Sequence, residues 1–308
     1  MTADEFHAQA AKRVSAPGAP SPRVRYEEPA PRVARITLAR PEAANAQDYR
    51  MLSELNSAFD RAARDPEISV IILAADGRIF SSGHDLADLD PDLSGLPVVG
   101  NDANFHAEGA AGYMDREREF YLGYCRRWRD IPKPTIAQVQ GRVIAGGLLL
   151  VWPMDLIVCS TEASFCDPVL AMGANGVEFF MHPYEVGVRT AKDMLFTGRT
   201  LSAAEAHARG MVQRIFAAET LEADTLALAT QIARQPLFAL ANAKRSVNTA
   251  LDAMGLNVTL EAAFALHHLG HSHWKQLHGE LAAPGAYAAT RDLIKMAPMA
   301  GVSVGRTP

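Results

Sequence analysis

Val33–Leu38 (VARITL) alternates apolar and polar positions, and this period of two predicts a strand. Met51, Leu52, Leu55, Ala58 and Phe59 recur at helical spacing and predict a helix over Tyr49–Arg64. Val70–Ala74 is an unbroken β-branched and leucine run, which reads as a buried strand closed by the turn Asp76-Gly77. The strand-then-helix order recurs twice more. Between Asp88 and Ala110 the periodicity is lost, which predicts a long loop of the functional or disordered kind. Because it directly follows the Val70–Leu86 segment, a lid is expected there. A helix resumes over Tyr113–Arg129, with Tyr113, Phe120, Tyr121 and Tyr124 aromatic and Arg116, Arg118, Arg126, Arg127 and Arg129 basic. Its charged face is expected to be solvated, with one Arg or Tyr available to a pocket.

Further along, Met154–Cys159 and Val212–Phe216 read as strands. Ser202–Arg209 reads as a helix opened by a capping box, Ser202 with Glu205 three residues on. Leu221–Arg234, Leu237–Ala253 and Leu260–Trp274 read as three successive helices. The first residues are rich in Ala, Pro and charge, so 1–30 is expected to be a flexible arm, with one short helix over Asp4–Arg13. The pattern gives an α/β core over 31–220, a helical region over 221–280 and a tail over 281–308.

At 308 residues, with 48% hydrophobic and 21% charged, the chain can bury one large core with an appendage. No apolar stretch reaches the roughly 18–20 residues of a membrane span, and the N-terminus lacks the apolar centre of a signal peptide. A cytoplasmic location with no membrane partner is expected. Cys125, Cys159 and Cys166 are odd in number and unpatterned, so they read as small core residues. A net charge of −5 argues against nucleic acid as a partner. His267 and His271 lie one helical turn apart and could suit a metal. No third ligand of suitable spacing accompanies them, so no metal is expected and the histidines are assigned to an interface or surface face.

Two segments carry candidate chemistry. Gly146-Gly147 separates two apolar runs, and a helix starting there would point free N–H groups at whatever lies in front of it, although such pairs also serve simple packing. In FSSGHDL (Phe80–Leu86), Gly83 precedes His84, whose backbone N–H would be free to face a cleft. The amides of His84 and Gly146 together could bind one developing oxyanion.

RPEAANA (Arg40–Ala46), VIILAADGRIFSSGHDL (Val70–Leu86), the stretch Lys133–Pro168, and LFTGRTLSAAEAHARGMVQRIF (Leu195–Phe216) follow one another in an order and spacing that resembles the enoyl-CoA hydratase/isomerase (crotonase) superfamily over residues 32–275. The resemblance implies an α/β, crotonase-like spiral of ββα units with a C-terminal helical trimerisation region, hence a homotrimer or dimer of trimers. It implies acyl-CoA thioesters as substrates, with coenzyme A arriving as part of the substrate and no separate cofactor. It also implies an oxyanion hole from His84 and Gly146, with Ala43, Ala44, Ser82, Asp85, Leu86 and Gly147 along the substrate path.

The chain departs from the family at two points. Family hydratases carry one glutamate eight residues after the position of Gly141 and another directly after that of Pro168; here those positions are Leu149 and Val169. Hydration needs a base for water and an acid for the α carbon, and two apolar residues supply neither. Isomerase branches place a carboxylate about eight positions beyond the second site, and Glu178 lies nine beyond Val169. Flanked by Val177, Phe179 and Phe180, Glu178 is expected to be desolvated, with a raised pKa suited to proton transfer, or else paired structurally with an Arg. Asp167 is a second catalytic candidate, or a turn or cap residue. Lyase or isomerase chemistry through Glu178, non-catalytic acyl-CoA binding, and thioester or β-diketone hydrolysis remain open on these residues.

Overall fold

The computed structural model describes residues 21–86, 93, 96, 98, 100 and 104–296. It contains strands β1 (Val24–Ala30), β2 (Val33–Leu38), β3 (Val70–Ala75), β4 (Ile79–Ser81), β5 (Thr135–Val139), β6 (Arg142–Ile144), β7 (Leu156–Ser160), β8 (Ser164–Cys166), β9 (Leu201–Ser202) and β10 (Arg214–Phe216). Six of them form one sheet in the order β1-β2-β3-β5-β7-β10, and the other four form a second in the order β4-β6-β8-β9. The strand pairs β3/β4, β5/β6 and β7/β8 thus each give their first member to the large sheet and their second to the small one. Pairing is parallel throughout, except for β1 on β2 and β9 on β8.

β2 and β5 are buried along their whole length, as parallel strands covered on both faces should be. Alternation sorts their side chains. Ile71 and Leu73 face the main core, which also holds Phe59, Phe80, Trp128 and Phe165, while Val70, Ile72 and Ala74 pack under the helix Leu221–Ala233. The helix Tyr49–Arg64 has the predicted bounds and starts on Asp48, whose side chain accepts from the Met51 amide at 2.7 Å. The capping box of Ser202 and Glu205 is formed, and the three cysteines are buried free thiols.

Several expectations are corrected. Residues 24–30, assigned to the arm, form β1, an edge strand that tolerates Pro29 because edge strands can spare a donor. The last long helix runs over Leu256–His278, and the tail contains a helix at Ala286–Met296. The single helix expected over Tyr113–Arg129 is three segments: Ala110–Glu117, a π-helical stretch Arg118–Gly123, and Tyr124–Arg129. Its basic face is not wholly solvated, since Arg116 and Arg129 are buried. Asp4–Arg13 and most of the expected lid over 88–110 lie outside the described residues. No described helix is long and apolar enough to cross a membrane.

Candidate active site

β4 and β6 are parallel neighbours, so their C-terminal ends release two loops side by side. One is Ser82-Gly83-His84, and the other is the short 3-10 turn Ala145–Gly147 that opens the helix Leu148–Val151. Gly83 has φ of 93°, and a Cβ on it would stand 3.0 Å from the Gly146 nitrogen. Only glycine permits that approach. Gln47 holds the loops together. Its Nε2 donates to the Gly146 carbonyl at 2.8 Å and to Ser81 Oγ at 3.1 Å, and its backbone pairs with Gly83 and Asp85. Gln47 was not singled out from the sequence because it falls one residue past the Arg40–Ala46 motif.

The sequence points to the backbone amide of His84; in the structure its side chain is packed into the same place. Its imidazole stacks on Tyr121 with centroids 4.0 Å apart. On the other side it lies against Gly146, where an added Cβ would stand 2.7 Å from the ring. Nε2 of His84 is 3.3 Å from Oε2 of Glu178, while Nδ1 is buried without a hydrogen-bond partner. His84 and Asp85 line a cleft together with Gln47, Tyr49, Arg116 and Tyr121.

Glu178 is buried, as expected, but its partners reverse the expected electrostatics. Burial alone would raise its pKa; the positive ends of His84 and His267, together with the hydrogen bond from His84, hold it well below the usual carboxylate range. Its partners are histidines and not an arginine, with Oε1 lying 3.4 Å from His267 Nε2. For His84, burial would lower the pKa, but the charge of Glu178 and the hydrogen bond to it raise it. The pair therefore favours a carboxylate beside an imidazolium.

The other predicted residues divide. Asp167 is fully buried, and its carboxylate is occupied by the amides of Val169 and Val177, each at 3.0 Å, and by His182 Nε2 at 2.8 Å. Both oxygens of Asp167 are thus engaged by groups of the protein itself. Ala43 and Ala44 form a turn next to the His84 loop, where the Ser82 amide donates to the Ala44 carbonyl. Asp85 pairs with Arg40 at 2.5 Å. Leu86 is exposed, and Gly147 is a packing position, since a Cβ on it would meet the Ser81 carbonyl at 2.9 Å. Leu149 and Val169 both belong to the apolar core.

Of the histidines assigned to an interface or surface face, His267 and His268 are buried within the chain, His271 is half-buried and His273 is exposed. A third group of the ligand type, which the sequence spacing does not reveal, stands beside them in space: Glu117, from the helix Ala110–Glu117, lies with His267 and His271, and one oxygen or nitrogen from each lies within 4.8 Å of the others. No local spacing could have shown it, because Glu117 comes from a distant part of the chain.

Known proteins share this arrangement of sequence and fold. The family model described as enoyl-CoA hydratase/isomerase matches residues 28–287. A crystal structure of a probable enoyl-CoA hydratase from Mycobacterium smegmatis superposes with a TM-score of 0.77 at 45% identity, covering 84% of this chain and 98% of that one. A Mycobacterium tuberculosis protein provisionally named enoyl-CoA hydratase EchA13 is 42% identical over 254 residues, 80% of each chain. A 4-chlorobenzoyl coenzyme A dehalogenase-2 of Arthrobacter sp. is 32% identical over 205 residues, covering 66% of this chain and 68% of that one. With the loops of β4 and β6 meeting at Gly83 and Gly146 and the match running through nearly the whole described chain, the protein belongs to the enoyl-CoA hydratase/isomerase family.

Proposed function

We propose that the protein is an acyl-CoA enzyme that stabilises a thioester enolate between the amides of His84 and Gly146 and moves the substrate proton through the His84–Glu178 pair. One observation carries the reading: Glu178 lies 3.3 Å from the imidazole of His84, and that same imidazole packs on Gly146. A carboxylate that holds Nε2 fixes the ring and stabilises its charged form, so His84, once it has released the Nδ1 proton, takes the substrate proton there and returns it from the imidazolium that the pair favours. Family likeness supports a thioester substrate. Isomerisation, which removes a proton and returns it, needs one carrier; hydration needs a base for water and an acid for the α carbon, and Leu149 and Val169 are packed in the core.

The pocket is expected to bind acyl-CoA whether or not turnover occurs. Calorimetry with a non-hydrolysable acyl-CoA should give saturable binding for the parent and for Glu178→Gln alike, since the change touches the proton carrier and not the loops. Absence of binding at millimolar ligand would sink the thioester reading.

Assembly into a homotrimer belongs to the same proposal. The helix Leu237–Ala253 buries none of its residues, Phe238 is 80% exposed and Val258 75% exposed. Apolar surface of that extent on neighbouring helices supports burial against other copies of the chain. Light scattering should give a mass of three 33.3 kDa chains or a multiple of three; a monomer would remove this part of the reading.

A further inference from the structure

Behind Glu178, three side chains from distant parts of the chain converge. Nε2 of His267 and Nε2 of His271 are 2.9 Å apart, and the Glu117 carboxylate lies 3.8 Å from the first and 3.7 Å from the second. Each ring places its Nδ1 2.8 Å from a backbone carbonyl, that of Gly176 for His267 and that of Leu281 for His271. A carbonyl can only accept, so Nδ1 of each ring donates to it, and Nε2 of any ring without a second proton presents its lone pair. With no proton or cation between the rings, two lone pairs would face each other across 2.9 Å with a carboxylate beside them. Three acceptors aimed at one point repel unless a cation stands between them.

An Nδ1–H held by a backbone carbonyl is also the support that orients metal-binding histidines and raises their basicity. Two ligands of a tetrahedral zinc at about 2.0–2.1 Å stand roughly 3.3 Å apart; here the two nitrogens are 2.9 Å apart, Glu117 offers Oε2 at 3.8 Å from His267 and Oε1 at 3.7 Å from His271, and one ligand atom from each residue lies within 4.8 Å of the others. Two more groups face the same point. Oε1 of Glu178 is 3.4 Å from His267 Nε2, and His268 Nε2 is 3.2 Å from Oε2 of Glu117. His268 is only 5% exposed, and its Nε2 and the Glu117 oxygen it faces are both buried. A bound ion would satisfy Glu117 and, through it, the charge of a carboxylate pair that otherwise sits in the protein interior.

We infer that Glu117, His267 and His271 form a binding site for one divalent transition-metal ion of the zinc type, with Glu178 and His268 flanking it. The mixed imidazole and carboxylate donors suit zinc or cobalt better than magnesium or calcium, which prefer oxygen alone. The site stands independently of the enolate reading, although His267 touches the same Glu178 that holds His84. A proton shared between His267 and His271 is the competing occupant.

The test uses the untagged 308-residue chain, stripped with chelator and titrated with cobalt(II) and then zinc(II) chloride. One cobalt per chain is expected, with visible absorption of a four-coordinate site that zinc abolishes, and zinc should raise the melting temperature because the ion binds only the folded chain. His271→Ala and Glu117→Gln should each weaken uptake by at least the roughly 10–100-fold that loss of a supporting partner alone costs. His273→Ala, an exposed histidine on the same helix, should leave uptake unchanged. Melting of the stripped variants checks that they fold, and Glu117→Gln keeps the original side-chain shape. No uptake by the parent would assign the site to a shared proton and overturn the inference. Uptake that persists in both variants would assign the metal to surface histidines and overturn it as well.

Discussion

Hydration of crotonyl-CoA is expected to run at least about 10⁴-fold slower than in a hydratase with both acids in place, because general acid and base groups contribute about 10²–10⁴ each. Leu149 is 2% exposed and Val169 8%, both inside the main core, so neither position offers water a proton acceptor. Proton exchange should survive, since His84 and Glu178 remain. Two assays separate the steps: loss of the enoyl-thioester absorbance reports hydration, and solvent deuterium entering the α and γ carbons reports enolate formation. Glu178→Gln, which keeps the shape and removes the carboxylate, should abolish the exchange. Hydration near the diffusional limit would refute the reading of Leu149 and Val169. Exchange that ignores Glu178→Gln would remove Glu178 from the mechanism and leave acyl-CoA binding or hydrolysis as the better account.

Gly146 should show the second large effect, and two substitutions there separate its two contributions. An alanine methyl would lie 2.7 Å from the His84 ring, so Gly146→Ala keeps the amide but pushes the imidazole off Glu178. A displacement of about 1 Å in a reacting group can cost about 10²-fold, and a loss of that order in exchange rate is expected. Gly146→Pro removes the amide itself, and loss of one oxyanion donor costs about 10²–10³ in rate. A melting curve for each variant shows whether the fold is kept, since a proline also constrains Ala145 before it, which has φ of 47°. If both variants fold and turn over acyl-CoA at the parent rate, the oxyanion hole lies elsewhere.

The strands of the large sheet were legible wherever burial on both faces produced an unbroken apolar run, as in Val70–Ala75, or where polar and apolar positions alternated, as in Val33–Leu38. β1 was not legible because Glu27, Glu28 and Pro29 read as a solvated arm, and only pairing with β2 turns that segment into an edge strand. The two site loops were readable from their glycines. What the sequence could not give was the partner of each titratable group. The apolar neighbours of Glu178 correctly forecast its burial, but the sign of its pKa shift depends on His84 and His267, which only the tertiary fold delivers. Likewise His267 and His271 were visible as a pair one turn apart, while Glu117 and the two carbonyls that fix their tautomers come from other elements.

The π-helical stretch Arg118–Gly123 makes both sites depend on chain length as well as on residue type. The Tyr124 amide reaches back five residues to the Glu119 carbonyl, which marks the stretch as an α-helix carrying an extra residue. Taking one residue out would restore ordinary winding and turn Ala110–Glu117 by about 100° against Tyr124–Arg129. Glu117 would then swing away from His267 and His271, and the Tyr121 ring would slip from its stack on His84, although no residue of either site had been replaced. Along this helix a deletion acts as a rotation, so two chains with the same functional residues but different counts between them would not have the same chemistry.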